Sequence, residues 1–204
     1  MPSLQSRSDD GALPSAAVAK IALRDRISTT RRRRSLLEIG DAARGLAEVV
    51  LAQPEVRRAA TVTAYVSIGA EPGTGPLLDA LTAAGKRVIL PVVQPDLDLD
   101  WGTWRGSTAL VPARRGLLEP ADRLGLDAIA TADVVLVPGT AVSPTGARLG
   151  QGGGCYDRAL ARVPVGTPVV VLLYDDEVGL DVPVDPHDRP VTTAATPTRW
   201  LPLR

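Results

Sequence analysis

The sequence predicts a single α/β domain in which helices cover both faces of a mostly parallel, Rossmann-like sheet in three layers. The chain has 204 residues, of which 45% are hydrophobic, so it suffices for one well-buried core and is short for two. Short Val-rich runs alternate with segments of helical periodicity, as in parallel sheets. Phe is absent, so the core must be packed from Val, Leu, Ala and Ile.

The elements follow in a regular order. A helical segment over residues 16–51, with a break expected near residues 28–30, comes first. Four Val-rich runs then predict buried strands, and two stretches that end at or follow glycines predict helices. A remaining segment with two tryptophans predicts an irregular excursion or an antiparallel pair. The strands are expected at 61–67, 87–93, 133–137 and 168–174, the helices at 75–84 and 156–162, and the excursion at 97–105.

Several function classes are disfavoured by composition. Residues 1–15 are rich in Ser, Asp, Gly and Pro and predict a disordered tail before a domain over residues 16–204. The longest apolar run without proline, residues 169–174, is far shorter than the ~20 residues of a membrane-spanning helix. The formal net charge of zero argues against a nucleic-acid-binding surface. One cysteine excludes an intrachain disulfide, and we expect a soluble, cytoplasmic protein.

The most informative segment is GARLGQGGGCYDR, residues 146–158. Its glycines leave the backbone free to turn N–H groups inward, and the helix that follows adds its positive end, which together make an anion cradle. Arg148 and Arg158 suit phosphate oxygens, and Asp157 suits a metal ion beside them. Glycines alone would also suit a flexible surface loop, but the charged neighbours favour a binding site. No Gly-Lys-Ser/Thr follows, so this is not a Walker loop.

Two cations near the start have a spacing that suits phosphate. The chain uses 21 Arg against 2 Lys, so Lys20 is unlike a casual surface charge. Lys20 and Arg24 stand four residues apart and so share one helix face, and a compact ammonium suits a point contact with phosphate. A face that is simply solvated by charge is the alternative. The four arginines at 31–34 spread around a helix, and we interpret them mainly as solvation, with phosphate or nucleic-acid contact as the minority alternative.

These motifs resemble the 5-formyltetrahydrofolate cyclo-ligase family. Its signature is an Arg-Leu-Gly-x-Gly-x-Gly-x-Tyr-Asp string after a Val-Pro-Gly strand end. The matching residues are Arg148, Leu149, Gly150, Gly152, Gly154, Tyr156 and Asp157. Further matches cover most of the chain and are Lys20, Leu23, Arg24, residues 65–67, Glu71, Thr74, residues 85–88, Leu90, Pro91, Glu119, Pro120, Pro183, His187 and Asp188.

The resemblance implies an enzyme that uses ATP and Mg²⁺ to convert 5-formyltetrahydrofolate, with or without a polyglutamate tail, to 5,10-methenyltetrahydrofolate, ADP and phosphate. It implies no nucleic-acid or membrane partner, and we expect a monomer, with a homodimer as the alternative. Lys20 and Arg148 would be catalytic. The ATP contacts implied are Lys20, Arg24, Arg148, Leu149, Gly150, Gln151, Gly152, Gly153, Gly154, Cys155, Tyr156 and Asp157. The implied folate contacts are Val66, Glu71, Gln151, Gly152, Gly153, Gly154 and Cys155, and the implied Mg²⁺ ligands are Asp157 and Asp188.

Physical chemistry agrees with two of these assignments. The Glu71 carboxylate could accept two N–H donors from the aminopyrimidine edge of a pterin, whereas an acid at a helix start is the alternative. Asp157 and Asp188 are a sufficient protein contribution for Mg²⁺, which commonly takes one or two carboxylates plus phosphate oxygens. His187 is interpreted as a loop hydrogen-bonding residue. Trp101 and Trp104 are expected to pack on opposite faces of a strand, with stacking on a pterin as the alternative.

Three positions depart from the family pattern. Ser143 stands where an Asp is typical, Glu177 where Gln is frequent, and Cys155 where an aromatic residue is usual. A carboxylate at position 143 could orient Arg148 or a metal-bound water, so its absence favours an alternative function, a non-catalytic folate- or nucleotide-binding paralogue. An RNA-binding protein that uses residues 31–34 is disfavoured, because the remaining surface is not basic and no stacking platform is visible.

Overall fold

The computed structural model describes residues 15–204. Residues 1–14 of the expected tail lie outside this range, whereas Ser15 is the N-cap of the first helix, because its hydroxyl accepts a hydrogen bond from the Val18 amide. The helices are α1 Ala16–Arg32, α2 Leu36–Leu51, α3 Pro54–Arg58, α4 Gly75–Ala83 and α5 Cys155–Leu160. The strands are β1 Thr61–Thr63, β2 Arg87–Val93, β3 Leu99–Thr103, β4 Leu110–Pro112, β5 Leu118–Pro120, β6 Val134–Pro138, β7 Ala141–Val142, β8 Arg148–Leu149, β9 Val169–Leu172, β10 Thr193–Ala195 and β11 Trp200–Pro202.

Seven of these strands form one sheet in the order β11-β10-β9-β6-β1-β2-β3. The five central strands are parallel, and β3 and β11 close the edges as antiparallel partners of β2 and β10. Two short ribbons, β4–β5 and β7–β8, lie outside the sheet. The mostly parallel sheet is therefore confirmed, and β2 coincides with its predicted range. β1 is shorter than predicted, because residues 64–67 leave the sheet after Thr63.

Alternate side chains of the strands pack against helices on the two faces of the sheet, as predicted. Val134 and Leu136 of β6 belong to the apolar cluster formed with α2, α3 and α4. Val135 and Val137 belong to the cluster formed with α5 and a 3₁₀ helix, Leu126–Thr131. Helix α1 packs elsewhere. Its apolar residues contact the β7–β8 ribbon in a third cluster that contains Leu23, Ile27, Ala141, Leu149 and Val182.

The predicted break in the first helical segment is wrong in position. Residues 28–30 are helical, and the chain turns instead between Arg32 and Leu36. Ser35 starts α2 with a reciprocal capping box: its hydroxyl accepts from the Glu38 amide at 3.2 Å, and the Glu38 carboxylate accepts from the Ser35 amide at 2.6 Å. The Thr30 hydroxyl bonds to the Arg26 carbonyl within α1, so a hydroxyl residue here does not interrupt the helix.

The assignment of the four arginines to solvation is also wrong for two of them. Arg31 is 5% exposed, and its Nε and Nη2 donate to the two Glu177 carboxylate oxygens at 2.7 Å each. Nη2 also donates to the Gly139 carbonyl at 2.8 Å. Arg34 lies 3.9 Å from the Tyr174 ring centroid and bonds to Asp176. The partners of Arg31 and Arg34 are more than 100 residues away in sequence. The run of four adjacent arginines therefore could not indicate these contacts.

We expect Arg31→Ala to lower the free energy of unfolding by about 3–5 kcal/mol, because Glu177 would remain buried without a counter-charge. Denaturant unfolding measures this. The control Arg33→Ala, at an exposed position of the same run, should stay within about 0.5 kcal/mol of the parent. Adding Glu177→Gln to Arg31→Ala should recover part of the loss. Equal stabilities of the two single arginine variants would contradict the assignment.

Candidate active site

A cavity of about 890 Å³ opens at the carboxyl ends of β1, β2 and β6. Ligand sites of parallel sheets lie at this edge, and the volume is in the range of small-molecule pockets. Its floor is formed by the residues that follow the strands, and its walls come from α1, the glycine-rich segment, the β4–β5 ribbon and the loop around position 187. These lining residues include Lys20, Arg24, Tyr65, Val66, Glu71, Pro91, Glu119, Gly139, Arg148, Leu149, Gly150, Gln151, Gly152, Gly153, Gly154, Cys155, Tyr156, Asp157, Asp185, His187 and Asp188.

Two arginines hold carbonyl groups of the glycine-rich loop, residues 150–154. Arg24 Nε on α1 donates to the Gly150 carbonyl at 2.7 Å, and Arg158 Nη2 on α5 donates to the Gly153 carbonyl at 2.8 Å. Gly152 has a φ of 93°, a conformation that side-chain-bearing residues rarely adopt. The structure therefore brings α1 to the loop, as the sequence predicted. It also gives Arg24 and Arg158 carbonyl partners where direct phosphate contacts were expected.

Lys20 is buried between two carboxylates. Its ammonium donates to Asp185 Oδ2 at 2.7 Å and to Asp188 Oδ2 at 2.6 Å. Burial alone would lower the pKa of Lys20, but the two carboxylates outweigh it and raise that pKa. Burial likewise opposes ionisation of Asp188, yet Lys20 and the Asp185 amide lower its pKa. Lys20 and Asp188 are therefore both charged at neutral pH. An ammonium carries three N–H donors, so one remains for a ligand.

Arg148 lies on the cavity wall beside Asp157 and Tyr156. Its Nη2 donates to Asp157 Oδ1 at 3.3 Å, and its guanidinium carbon lies 5.7 Å from the Tyr156 ring centroid. Arg148 Nε and the Tyr156 hydroxyl are buried and have no hydrogen-bond partner within residues 15–204. Burial raises the pKa of Tyr156, so its hydroxyl stays neutral. Buried polar groups are normally paired, so these two atoms are exceptions behind the cavity wall.

Glu71 lies in the turn that follows Tyr65 and Val66. Its carboxylate accepts from the Ile68 amide at 3.0 Å. Burial raises the pKa of Glu71, and this outweighs the opposing effects of that amide and of Arg31. Helix α4 starts only at Gly75, so the alternative of a carboxylate at a helix start is wrong. A half-buried carboxylate on a cavity wall suits recognition of N–H donors.

Carboxylate oxygens suitable for a magnesium ion line the cavity. Asp157 and Asp188 both face it, and the hydrogen bonds that Asp157 makes with described residues fall on Oδ1. Ligand atoms of Asp185, His187 and Asp188 lie within 4.8 Å of one another. Mg²⁺ prefers oxygen ligands, so the carboxylates fit it. Asp185 was missed from sequence, although two aspartates three residues apart around the single histidine were a visible signal.

Ser143 forms no side-chain hydrogen bond with Arg148 within residues 15–204. Its hydroxyl accepts from the Thr145 amide at 3.2 Å and the Ala147 amide at 3.0 Å, and it pairs with the Thr145 hydroxyl at 2.8 Å. Over residues 15–204, its side-chain bonds all stay within the β7–β8 turn. The serine side chain therefore closes its own turn, and the effect of a carboxylate at this position stays a prediction.

The cysteine and the two tryptophans considered above have packing roles. Cys155 is half-buried and packs against the apolar cluster beside α5, as a small filler would. Trp101 and Trp104 are buried in the clusters on opposite faces of the sheet, and neither lines the cavity. Pterin stacking on either tryptophan is therefore excluded in this structure.

Glu119 was noted only as a family match, and its Oε1 accepts from the Val93 amide at 3.0 Å on the cavity wall.

Known proteins are similar to this chain over most of its length. A model of the 5-formyltetrahydrofolate cyclo-ligase family matches residues 16–197. A 5-formyltetrahydrofolate cyclo-ligase of Mycolicibacterium smegmatis is 46% identical over 147 residues, which cover 69% of this chain and 75% of that protein. A protein of the same name from Escherichia coli K12 is 33% identical over 154 residues, 74% of this chain and 85% of its own length. The NMR structure of Aquifex aeolicus 5,10-methenyltetrahydrofolate synthetase superposes with a TM-score of 0.78 at 28% identity and covers 91% of this chain and 93% of that one.

None of the described helices is long and apolar enough to span a bilayer. This agrees with the absence of a long apolar run in the sequence.

We expect Ser143→Asp to leave turnover close to that of the parent, because an aspartate can accept the same two amides within the turn. Ser143→Ala should lower the free energy of unfolding by about 1 kcal/mol, since it leaves those amides without their acceptor. Turnover and denaturant unfolding of the three proteins measure both effects. A clear gain of turnover in Ser143→Asp would show that the position does act on the catalytic groups.

Proposed function

Because the chain belongs to the 5-formyltetrahydrofolate cyclo-ligase family, we propose that it converts 5-formyltetrahydrofolate to 5,10-methenyltetrahydrofolate at the expense of ATP. One observation carries this proposal. A single cavity joins the glycine-rich loop and the Lys20 cluster to the half-buried carboxylate of Glu71. Phosphate-binding chemistry and pterin-binding chemistry thus meet in one space, as a reaction between ATP and a folate requires.

The reaction needs no side-chain nucleophile. The formyl oxygen is a poor leaving group, so the γ-phosphoryl group of ATP passes to it and ADP departs. N10 of the folate then attacks the formyl carbon and loses its proton, and the carbon–oxygen bond breaks as phosphate leaves. Catalysis of this kind depends on positioning and on neutralising phosphoryl charge. This requirement explains a site composed of glycines, cations and carboxylates.

Lys20 and Arg148 are the proposed catalytic cations. Lys20 offers its third N–H donor to a phosphoryl oxygen while two carboxylates hold the ammonium in place. Arg148 is held by Asp157 and the Pro138 carbonyl, with Nε buried and unpaired within the described chain. Charges fixed in advance stabilise a transition state without reorganising. The loop from Leu149 to Asp157 and Arg24 complete the proposed ATP site.

Asp157 and Asp188 would hold the magnesium ion, and Asp185 is a further oxygen donor beside them. When bound, the ion would neutralise charge on the ATP phosphates. Asp157 also anchors Arg148 and accepts from the Arg189 amide at 3.1 Å, so it links the glycine-rich segment to the loop that carries Asp188. The proposed ligands therefore come from two segments that the fold holds together.

The proposed folate site lies on the other side of the loop. Glu71 would accept the N–H groups of the pterin edge, and Val66 and the loop residues Gln151 to Cys155 would contact the rest of the ring and its substituents. The substrate is a small molecule, with or without a polyglutamate tail. The alternative is a non-catalytic paralogue, which the absence of a carboxylate at position 143 favours, since the Ser143 hydroxyl bonds only within its own turn among the described residues.

The direct test is to mix the protein with Mg-ATP and 5-formyltetrahydrofolate and follow the absorbance of methenyltetrahydrofolate. Product should form only when both ATP and Mg²⁺ are present. Folate binding without product formation would support the paralogue and overturn the proposed reaction.

We expect Asp157→Asn and Asp188→Asn each to lower turnover on the order of 10²-fold and to raise the Mg²⁺ concentration needed for half-maximal rate, because each keeps the side-chain shape and removes a charge that suits a hard cation. Affinity for folate should change little. The control Asp79→Asn, at an exposed position of α4, should behave as the parent. Parent-like rates of both variants at limiting Mg²⁺ would contradict the metal assignment.

We expect folate affinity to fall on acidification, because protonated Glu71 cannot accept two N–H bonds. The raised pKa of Glu71 moves this loss to a higher pH than an ordinary glutamate would give. Glu71→Gln should bind about 10-fold more weakly at neutral pH and lose this pH dependence. Calorimetric titration of the parent and the variant from acidic to neutral pH measures the effect. Glu48→Gln, exposed on α2, is the control, and an unchanged pH profile in Glu71→Gln would refute the assignment.

A further inference from the structure

Tyr174 connects the α1–α2 corner to the turn that carries Glu71. Its hydroxyl lies 3.3 Å from both the Ala70 and the Glu71 carbonyl oxygens, which share its single O–H donor. The residue follows β9, more than 100 positions away from that turn in sequence. The side chain itself is not part of the cavity wall. Tyr174 therefore contacts the back of the turn while Glu71 faces the cavity.

The Tyr174 ring is held from several directions. Its amide donates to Glu177 Oε2 at 3.0 Å, and Glu177 is fixed in turn by the buried pair with Arg31. The Arg34 guanidinium carbon lies 3.9 Å from the ring centroid, a stacking distance that stabilises both groups. Tyr174 is 3% exposed. These contacts leave the ring little freedom, so its hydroxyl occupies a defined position.

The turn that carries Glu71 spans residues 67–74. Hydrogen bonds within the turn are more numerous where its two ends meet than at its apex around Glu71. Ser67 and Thr74 close the base, because each amide donates to the hydroxyl of the other at 2.9 and 3.0 Å. At the apex, the Glu71 carboxylate and amide bond only to Ile68 within the turn. Among the described residues, Tyr174 supplies the side-chain hydrogen bonds that reach the apex from outside.

We propose that Tyr174 is a positioning residue for Glu71 and sets the affinity of the site for folate, an inference that rests on the proposed function. The hydroxyl contacts the main-chain carbonyls on both sides of the Glu71 Cα, and so fixes the direction in which the Glu71 carboxylate leaves the turn. Small displacements of a recognising group cost affinity, because both of its hydrogen bonds must align with the ligand. Burial outweighs the two arginines and raises the pKa of Tyr174, so the hydroxyl remains a donor at neutral pH.

The test compares Tyr174→Phe with the parent full-length protein in folate binding, ATP binding and turnover. We expect the Kd and KM for 5-formyltetrahydrofolate to rise about 3- to 10-fold, the size of losing one or two neutral hydrogen bonds, while the KM for ATP stays unchanged. The ring remains, so the stack with Arg34 is kept. Thr82→Ala is the matched control, because it also removes a hydroxyl that bonds a main-chain carbonyl, but on α4 away from the cavity.

A double-mutant cycle separates positioning from a general structural effect. If Tyr174 acts through Glu71, Tyr174→Phe should weaken folate binding in the parent and have no further effect in the Glu71→Ala background. An additive effect in that background, or an equal loss of ATP affinity, would overturn the inference. A parent that binds folate no better than Tyr174→Phe would overturn it as well, with the proposed function intact. A parent that binds no 5-formyltetrahydrofolate would overturn both.

Discussion

The buried ion pair between Arg31 and Glu177 fixes the helix on which the candidate site depends. Helix α1 packs on the β7–β8 ribbon, away from the two faces of the sheet. Its apolar contact with the rest of the protein is therefore small. Arg31 adds a two-point contact with Glu177 and a third bond to the Gly139 carbonyl at the end of β6. Burying both charges is costly, and such pairs contribute geometric definition more than net stability. The fixed position of α1 matters about two and three turns earlier in the same helix, where Arg24 and Lys20 reach the cavity.

Arginine and lysine have different tasks in this site. The planar guanidinium groups of Arg24 and Arg158 bind carbonyls of the glycine-rich loop, so they shape the backbone that would face a phosphate. The compact ammonium of Lys20 lies between two carboxylates and keeps one donor for a ligand. The chain has 21 Arg and 2 Lys, and one of the two lysines occupies the position where a compact ammonium pairs with two carboxylates.

Local signals were enough to predict much of the fold and the composition of the site. The Val-rich runs located the parallel strands, and the position of the glycine-rich segment after β6 located the cavity, because ligand sites follow strand ends in such sheets. Long-range pairing was beyond local signals. Nothing near Arg31 indicates Glu177, and nothing near Lys20 indicates Asp185. Ser143 is the opposite case, since its partners lie within four residues and close a turn that the family pattern alone does not reveal.

The peripheral position of α1 makes its docking a local equilibrium that differs from global unfolding. Within residues 15–204, its main links to other segments are the Lys20 cluster, the Arg24 bond to the loop, the small apolar contact and the Arg31 pair. Two of these four links lie in the cavity wall. A ligand that bridges Lys20 and the glycine-rich loop therefore stabilises the docked helix by the same free energy with which docking strengthens the binding of that ligand. The amides of α1 would then be the most sensitive reporters of occupancy, since their hydrogen exchange would slow whenever the two walls of the cavity are bridged.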